Sequence, residues 1–432
     1  MFISKNFDVN NLGHLTMGGV DVLELAEEFK TPLLVVDEVY FRSRCRNLSA
    51  VLSKFYGKRS LICYASKAFC CKEIYRIVQN ENLGIDVVSI GEMFTALQAG
   101  FNFSKIYFHG NNKSIEEIKF AIENNVGRIV ADNTNELEMI NEIAGNLSVK
   151  VDVMLRLKPG VEAHVHEFIR TGQISSKFGF AISNGEAINA FKKVLTLKNL
   201  NLVGAHCHIG SQILQVQPFI SAVKIMIEFF DEIKRKLGIE IEELNLGGGF
   251  GINYLPEEKS LDVEKCLELV CLEVKKQCEK FSLKMPFLIL EPGRFLIAKA
   301  GITLYTVGCV KEIYGVKKYV FVDGGMTDNP RYALYGAKYD AAIANRARDE
   351  KSEIVSVAGK CCESGDLIGE NMHLQKAQVG DVLVVFATGA YNYSMASNYN
   401  RITRPAVVFL NGIEKKLVVR RESLQQLIEN DI

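Results

Sequence analysis

The sequence predicts an α/β protein with an added all-β part: a (β/α)8 barrel of the TIM type, followed by a second domain built from strands. Three observations predict it. Eight short apolar runs alternate with amphipathic helical stretches from about residue 30 to residue 294, and polar residues close every run. After Arg294 the helices give out and strands with turn signals take over. Eight repeats over roughly 250 residues are what a barrel needs; a doubly wound sheet usually has fewer, and no GxGxxG follows the first strand to favour it.

The runs are SLICYASK (60–67), LGIDVVS (83–89), KIYFHGN (105–111), GRIVADN (127–133), VKVDVMLRL (149–157), LVGAHCHIGS (202–211), IEELNLGGG (241–249) and FLILEPGR (287–294). They are continuously apolar rather than alternating, as expected of parallel strands covered on both faces. Between them, SIEEIKFAIENN (114–125) and NELEMINEIAG (135–145) repeat apolar residues at helical spacing. Ser114 with Glu117 three residues later forms a capping-box pattern at the start of the first. Beyond residue 294, GITLYTVGCVKEI, KKYVFVDGG, SEIVSVAGKCC, DVLVVFATG, PAVVFLNG and KKLVVRRE read as strands with almost no helix between them. The early run TPLLVVDE (31–38) is expected to pair into that second domain. The expected division is a barrel over 37–290, with 1–36 and 291–432 forming the β domain.

Composition removes several function classes. With 48% hydrophobic and 24% charged residues among 432, the chain is neither disordered nor fibrous. Lys plus Arg and Asp plus Glu each number 51, so there is no basic excess to attract nucleic acid. The most apolar stretch, around 287–310, is interrupted by Glu291, Arg294 and Lys299, so no membrane span is expected. The opening MFISKNF has neither a basic segment nor an apolar core, so no signal peptide is expected. The 11 cysteines are odd in number and form no CxxC pair, which suits reduced thiols in a cytoplasmic protein.

The chemistry lies at the strand ends. In order they carry Lys67, Asp86 with Ser89, His109-Gly110-Asn111, Asp132, Arg156, His206 with His208 and Ser211, Gly247-Gly248-Gly249, and Glu291 with Arg294. Barrel active sites are built from such ends. A lysine buried at a barrel mouth is expected to have its ammonium disfavoured, giving an amine suited to Schiff-base chemistry. The glycine triplet can turn consecutive amides toward an anion, and Arg294 adds a forked donor. A lysine amine beside a phosphate cradle points to pyridoxal phosphate. His164 and His166 form an HxH pair with no third ligand at a matching spacing, so no metal is expected.

YASKA (64–68), HCHIGSQ (206–212), GGGFG (247–251), EPGR (291–294), CES (362–364) and GAYNYSMASNYN (389–400) together resemble the fold-type III pyridoxal-phosphate decarboxylases. HVHEFIRTGQISSKFGF (164–180) and NPRYALYGAKY (329–339) resemble the diaminopimelate branch of that family, and the likeness covers roughly residues 30–410. The resemblance implies decarboxylation of meso-2,6-diaminopimelate to L-lysine and carbon dioxide, the last step of lysine biosynthesis. It makes Lys67 the residue that holds the cofactor covalently, Glu291 the partner of the pyridine nitrogen, and His208 the group stacked on the ring. Ser211, Gly248, Gly249, Gly293, Arg294 and Tyr391 are the implied remaining cofactor contacts. Cys362, rather than the adjacent Cys361, is the implied proton donor, reaching across a homodimer whose sites are shared. Arg294, Arg331, Tyr335, Glu363 and Tyr391 are the implied substrate contacts, an arginine fork suiting a distal carboxylate. His206 is expected to be structural. Competing readings are a decarboxylase of carboxynorspermidine or ornithine, which would not need the arginine pair, and a racemase-like enzyme, which should carry arginine in place of Glu291. A non-catalytic cofactor carrier would normally lack the β domain.

Overall fold

The computed structural model describes residues 2–161 and 175–432, so His164, His166 and most of the 164–180 motif lie outside the described residues. The chain divides into two compact units. One comprises Cys45–Ile252 with Ser260–Gly293; the other comprises Met1–Arg44, Asn253–Lys259 and Arg294–Ile432.

The first unit is a closed parallel barrel. Its strands are β1 (Ser60–Ala65), β2 (Gly84–Val87), β3 (Ile106–Phe108), β4 (Arg128–Ala131), β5 (Val151–Lys158), β6 (Leu200–Cys207), β7 (Glu243–Asn245) and β8 (Phe287–Leu290). Each pairs in parallel with the next, and β8 returns to β1 with Leu288 opposite Ser60, which closes the ring. All eight apolar runs of the sequence are therefore barrel strands. Their continuous apolarity follows from burial on both faces, since a layer of Cys63, Tyr107, Val130, Met154, Val203 and Ile289 fills the interior beneath the site. A two-residue strand, Phe180–Ala181, adds to β5 outside the ring.

The helices follow the strands as the periodicity requires. Ile115–Glu123 begins at Ser114, whose hydroxyl accepts the Glu117 amide while the Glu117 side chain accepts the Ser114 amide, so the capping box forms as expected. Thr134–Asn146 begins at Asn133, capped in the same way by one side-chain bond to the Glu136 amide.

The second unit is built on one large sheet. Its strand order is Leu367–Leu374, Glu353–Ala358, Lys317–Val322, Gly301–Ile313, Leu33–Asp37, Ala406–Asn411 and Glu414–Val419, with Val382–Phe386 also pairing Gly301–Ile313 and Ala341–Ile343 pairing Val382–Phe386. The early strand pairs as expected, antiparallel to Gly301–Leu304 and parallel to Ala406–Leu410. A small three-stranded sheet at Phe7–Val9, Leu15–Met17 and Val20–Asp21 was not anticipated.

Candidate active site

Within the barrel, the polar residues at the strand ends form one cluster. Glu291 follows β8 directly and is buried together with His109, His206, Asn245 and Asp86. Its Oε1 accepts from Asn245 Nδ2 at 2.6 Å and pairs with His109 Nε2 at 2.8 Å, while Oε2 lies 3.2 Å from His206 Nε2. Burial alone would raise the carboxyl, but the attraction of the two imidazoles and their hydrogen bonds hold it well below the usual carboxylate range. Burial in turn pushes His206 down to about 3 and lowers His109. The cluster thus sets a carboxyl held low between two imidazoles whose own protonation burial disfavours.

His109, His206 and Glu291 offer ligand atoms within 4.8 Å of one another. That geometry would suit a metal, but the carboxylate is already engaged by Asn245 and both histidines. His206, expected to be structural, lies against Glu291. His109 and Asn245, to which the sequence reading gave no role, complete the setting of Glu291. The available signal was position alone, since all three lie at barrel strand ends.

Lys67 sits in the short turn after β1. The expectation that it is buried is not met: Lys67 is exposed in this chain. Its charge nevertheless reaches the site. Burial and the Glu291 charge push the Asp86 carboxyl well above its usual range, with Lys67 opposing them. Burial and the positive charges of Lys67 and Arg156 hold the His208 imidazole well below its usual range. Arg156 lies 3.9 Å from Asp132 and 4.2 Å from the Phe178 ring centre.

The loops after β6 and β7 are laced together. Ile213 donates to Gly249 O, Gly251 donates to Ile213 O, and the Gln212 side chain bridges to both the carbonyl and the amide of Ile252. The chain reverses at Gly247 (φ +66°) and Gly249 (φ +101°), where a side chain would be strained. A Cβ on Gly248 would collide with the Glu291 carbonyl and one on Gly249 with the Gly210 carbonyl. Among the described residues, the Gly248 and Gly249 amides donate to no protein acceptor. Two neighbouring uncommitted amides with Ser211 on the adjacent loop are a donor set that fits a phosphate. Gly293 allows the turn after β8 to approach the lysine turn, since a Cβ there would lie 2.9 Å from Ala65 Cβ.

The second unit holds a separate cationic group. Arg294 and Arg331 are both buried, as are Tyr254, Tyr339 and Asn392. Arg294 donates to Tyr254 Oη at 2.5 Å and lies 4.6 Å from the centre of the Tyr391 ring. Arg331 donates to Tyr339 Oη, which bonds Asn392 at 3.1 Å. Among the described residues no carboxylate lies within 4 Å of Arg331. A buried guanidinium held by phenols alone is a site prepared for an anion. Tyr335 is half-buried at the end of the short helix Arg331–Tyr335. Cys362 and Glu363 are exposed on the loop after Glu353–Ala358, where the Cys362 amide donates to Asn400 Oδ1 at 2.9 Å. The neighbouring Cys361 thiol is pushed up to about 12 by burial and by Asp366, which also accepts the Cys361 amide.

A parallel barrel with an ionised glutamate among its strand ends, a lysine turn and a phosphate-fitting glycine loop defines a class: pyridoxal-phosphate-dependent enzymes of the decarboxylase type. The family model for the pyridoxal-dependent decarboxylase pyridoxal-binding domain matches residues 41–298. The chain is 47% identical to a diaminopimelate decarboxylase of Bacillus methanolicus over 98% of both chains. It is 45% identical to that of Bacillus subtilis over 100% of this chain and 98% of the relative. The structure of the M. jannaschii diaminopimelate decarboxylase in co-complex with L-lysine matches with a TM-score of 0.91 at 37% identity, covering 100% of this chain and 99% of that one. The chain therefore belongs to the diaminopimelate decarboxylase family of pyridoxal-dependent enzymes. A Vibrio vulnificus lysine/ornithine decarboxylase, at 22% identity and a TM-score of 0.75, shares the fold.

Proposed function

We propose that this chain decarboxylates meso-2,6-diaminopimelate to L-lysine and carbon dioxide, the last step of lysine biosynthesis, with pyridoxal phosphate as cofactor. The observation that carries the substrate is Arg331, a buried guanidinium with phenolic partners and, among the described residues, no carboxylate beside it. A substrate with a second carboxylate supplies the missing anion; ornithine and lysine have none to offer.

When bound, pyridoxal phosphate supplies an electron sink for the charge left on carbon as carbon dioxide departs. Lys67 would hold it through its amine, and the amides of Gly248 and Gly249, with Ser211, Arg294 and Tyr391, would hold the phosphate. Gly293 keeps the turn after β8 close to the lysine turn. Glu291 would accept the ring N–H and keep that proton in place, and its depressed carboxyl suits the task. His208 would pack against the ring. Arg294, Arg331, Tyr335, Glu363 and Tyr391 orient the substrate's far end, the arginines on its carboxylate and Glu363 on its ammonium.

Cys362 of the partner subunit in a homodimer delivers the proton from Sγ to the carbon that loses carbon dioxide. Exposure of Cys362 on its loop supports a role toward a second chain. The Asp366-bound Cys361, its thiol held at about 12, is a poorer candidate. The unbridged state of the eleven cysteines supports a reaction in the cytoplasm. Among the described residues no helix is long and apolar enough to cross a membrane.

The test is product formation. With pyridoxal phosphate added, the purified chain is expected to convert meso-diaminopimelate to equal amounts of L-lysine and carbon dioxide. Absence of both products from a folded, cofactor-loaded chain would refute the reading.

A further inference from the structure

We propose that Tyr254 is a positioning residue that fixes the two guanidiniums of Arg294 and Arg331 as one carboxylate-reading pair, and so sets the preference for a substrate with a distal carboxylate. The inference rests on the reading above. It adds a residue to which neither the motifs nor the chemistry derived so far gives a part.

The geometry is specific. Tyr254 follows the glycine run in sequence, yet the segment Asn253–Lys259 belongs to the sheet unit rather than the barrel. Its hydroxyl accepts from Arg294 Nη1 at 2.5 Å, and the Arg331 guanidinium carbon lies 5.0 Å from its ring centre. A second phenol, Tyr339, meets the Tyr254 ring edge-on at 5.3 Å and accepts from Arg331. All four side chains are buried.

Two like charges in one buried place repel, and each alone costs desolvation. Tyr254 answers both problems at once, since its oxygen serves Arg294 while its ring face serves Arg331. The two cations also act on the phenol: burial would raise it, but they draw it below its usual value. Without the hydroxyl, Arg294 loses a buried acceptor and the pair its common anchor. The cost falls on binding rather than turnover, on the far carboxylate through both arginines and, through Arg294, on the phosphate, which saturating pyridoxal phosphate offsets, because neither arginine touches the carbon that reacts.

The experiment uses the holoenzyme with Tyr254→Phe, which keeps the ring and removes one oxygen. A lost hydrogen bond to a charged group predicts a KM for meso-diaminopimelate raised about tenfold or more, with kcat within about threefold. Pimelate, a dicarboxylate without amines, is the probe for a readout independent of turnover: calorimetry should show about tenfold weaker binding to the variant. The ratio of kcat/KM for meso-diaminopimelate over L-lysine should fall by a similar factor. A double-mutant cycle with Arg331→Lys should be non-additive, because the two side chains act through one another. If Tyr254→Phe does not fold, Tyr254→His is measured instead, with the same split of KM from kcat expected. Unchanged KM, pimelate affinity and ratio in the folded variant would overturn the proposal. Wild-type chain inactive on meso-diaminopimelate would instead overturn the substrate reading beneath it.

Discussion

At Glu291 burial and charge pull in opposite directions, and the neighbouring imidazoles decide the outcome. The same cluster makes His206 a source of acid sensitivity. Its folded value of about 3 lies below its ordinary one, so between about pH 6.5 and pH 3 the unfolded chain binds the extra proton. Its contribution to stability is therefore complete above the unfolded value and is lost as pH falls through that window. Replacing it by glutamine should flatten the acid limb of the stability profile, by up to roughly 1.4 kcal/mol per pH unit for one group. Thermal melting of both proteins from pH 7 to pH 4 checks this, and parallel limbs would remove His206 from the account. Arg331→Lys is the second prediction at this scale. Lysine cannot reproduce the fork, so kcat/KM should drop at least about tenfold while cofactor absorbance stays unchanged. Equal efficiency would place Arg331 outside the substrate's reach. Some of these residues could be found by sequence: EPGR marks Glu291, and YASKA marks Lys67. Others could not, because His109 and Asn245 acquire meaning only from what Glu291 needs around it. The exposure of Lys67 was also beyond the sequence, which shows where a strand ends but not what covers the end.

Elements were legible in proportion to how uniformly they are buried. The barrel strands are apolar on both faces and stand out as continuous runs. Leu367–Leu374, by contrast, carries Glu370, Asn371 and His373 on a partly exposed surface, and no run of apolar residues announces it. Ala341–Ile343 and the N-terminal strands have only two or three residues each, too few for any period to show. The helix Glu38–Tyr56, which carries the chain toward β1, was hidden by its scattered charges. Among the loops, the interlaced pair after β6 and β7 carries the sharpest element-scale prediction. Gly249→Ala puts a methyl against the Gly210 carbonyl at a positive φ, so the loops must part and the two amides lose their aim. Affinity for pyridoxal phosphate should fall at least about tenfold, as titrated by absorbance, with the barrel still folded by circular dichroism. Retained affinity would mean that the cradle lies elsewhere.

For the whole molecule, the division of labour between barrel and sheet unit sets the expectation. Lys67 and Glu291 belong to one unit, and the arginine pair and Cys362 to the other. If the homodimer shares its sites, Lys67→Ala and Cys362→Ala dimers should each be nearly inactive. After subunit exchange, about half of the dimers would be mixed, each with one intact site, and the mixture should regain about a quarter of wild-type activity. No recovery, with exchange verified by tag pull-down, would place both groups in one chain.

The claim on which the rest depends is that a buried arginine pair selects a substrate with a carboxylate at each end. Carbon dioxide release measured in parallel from meso-diaminopimelate, L-lysine, L-ornithine and L-arginine tests it most directly. The account predicts turnover of meso-diaminopimelate, with the three monocarboxylates at least about a hundredfold poorer in kcat/KM, the loss of a charge-paired anchor being worth roughly 3 kcal/mol. Comparable release from lysine, ornithine or arginine would contradict it.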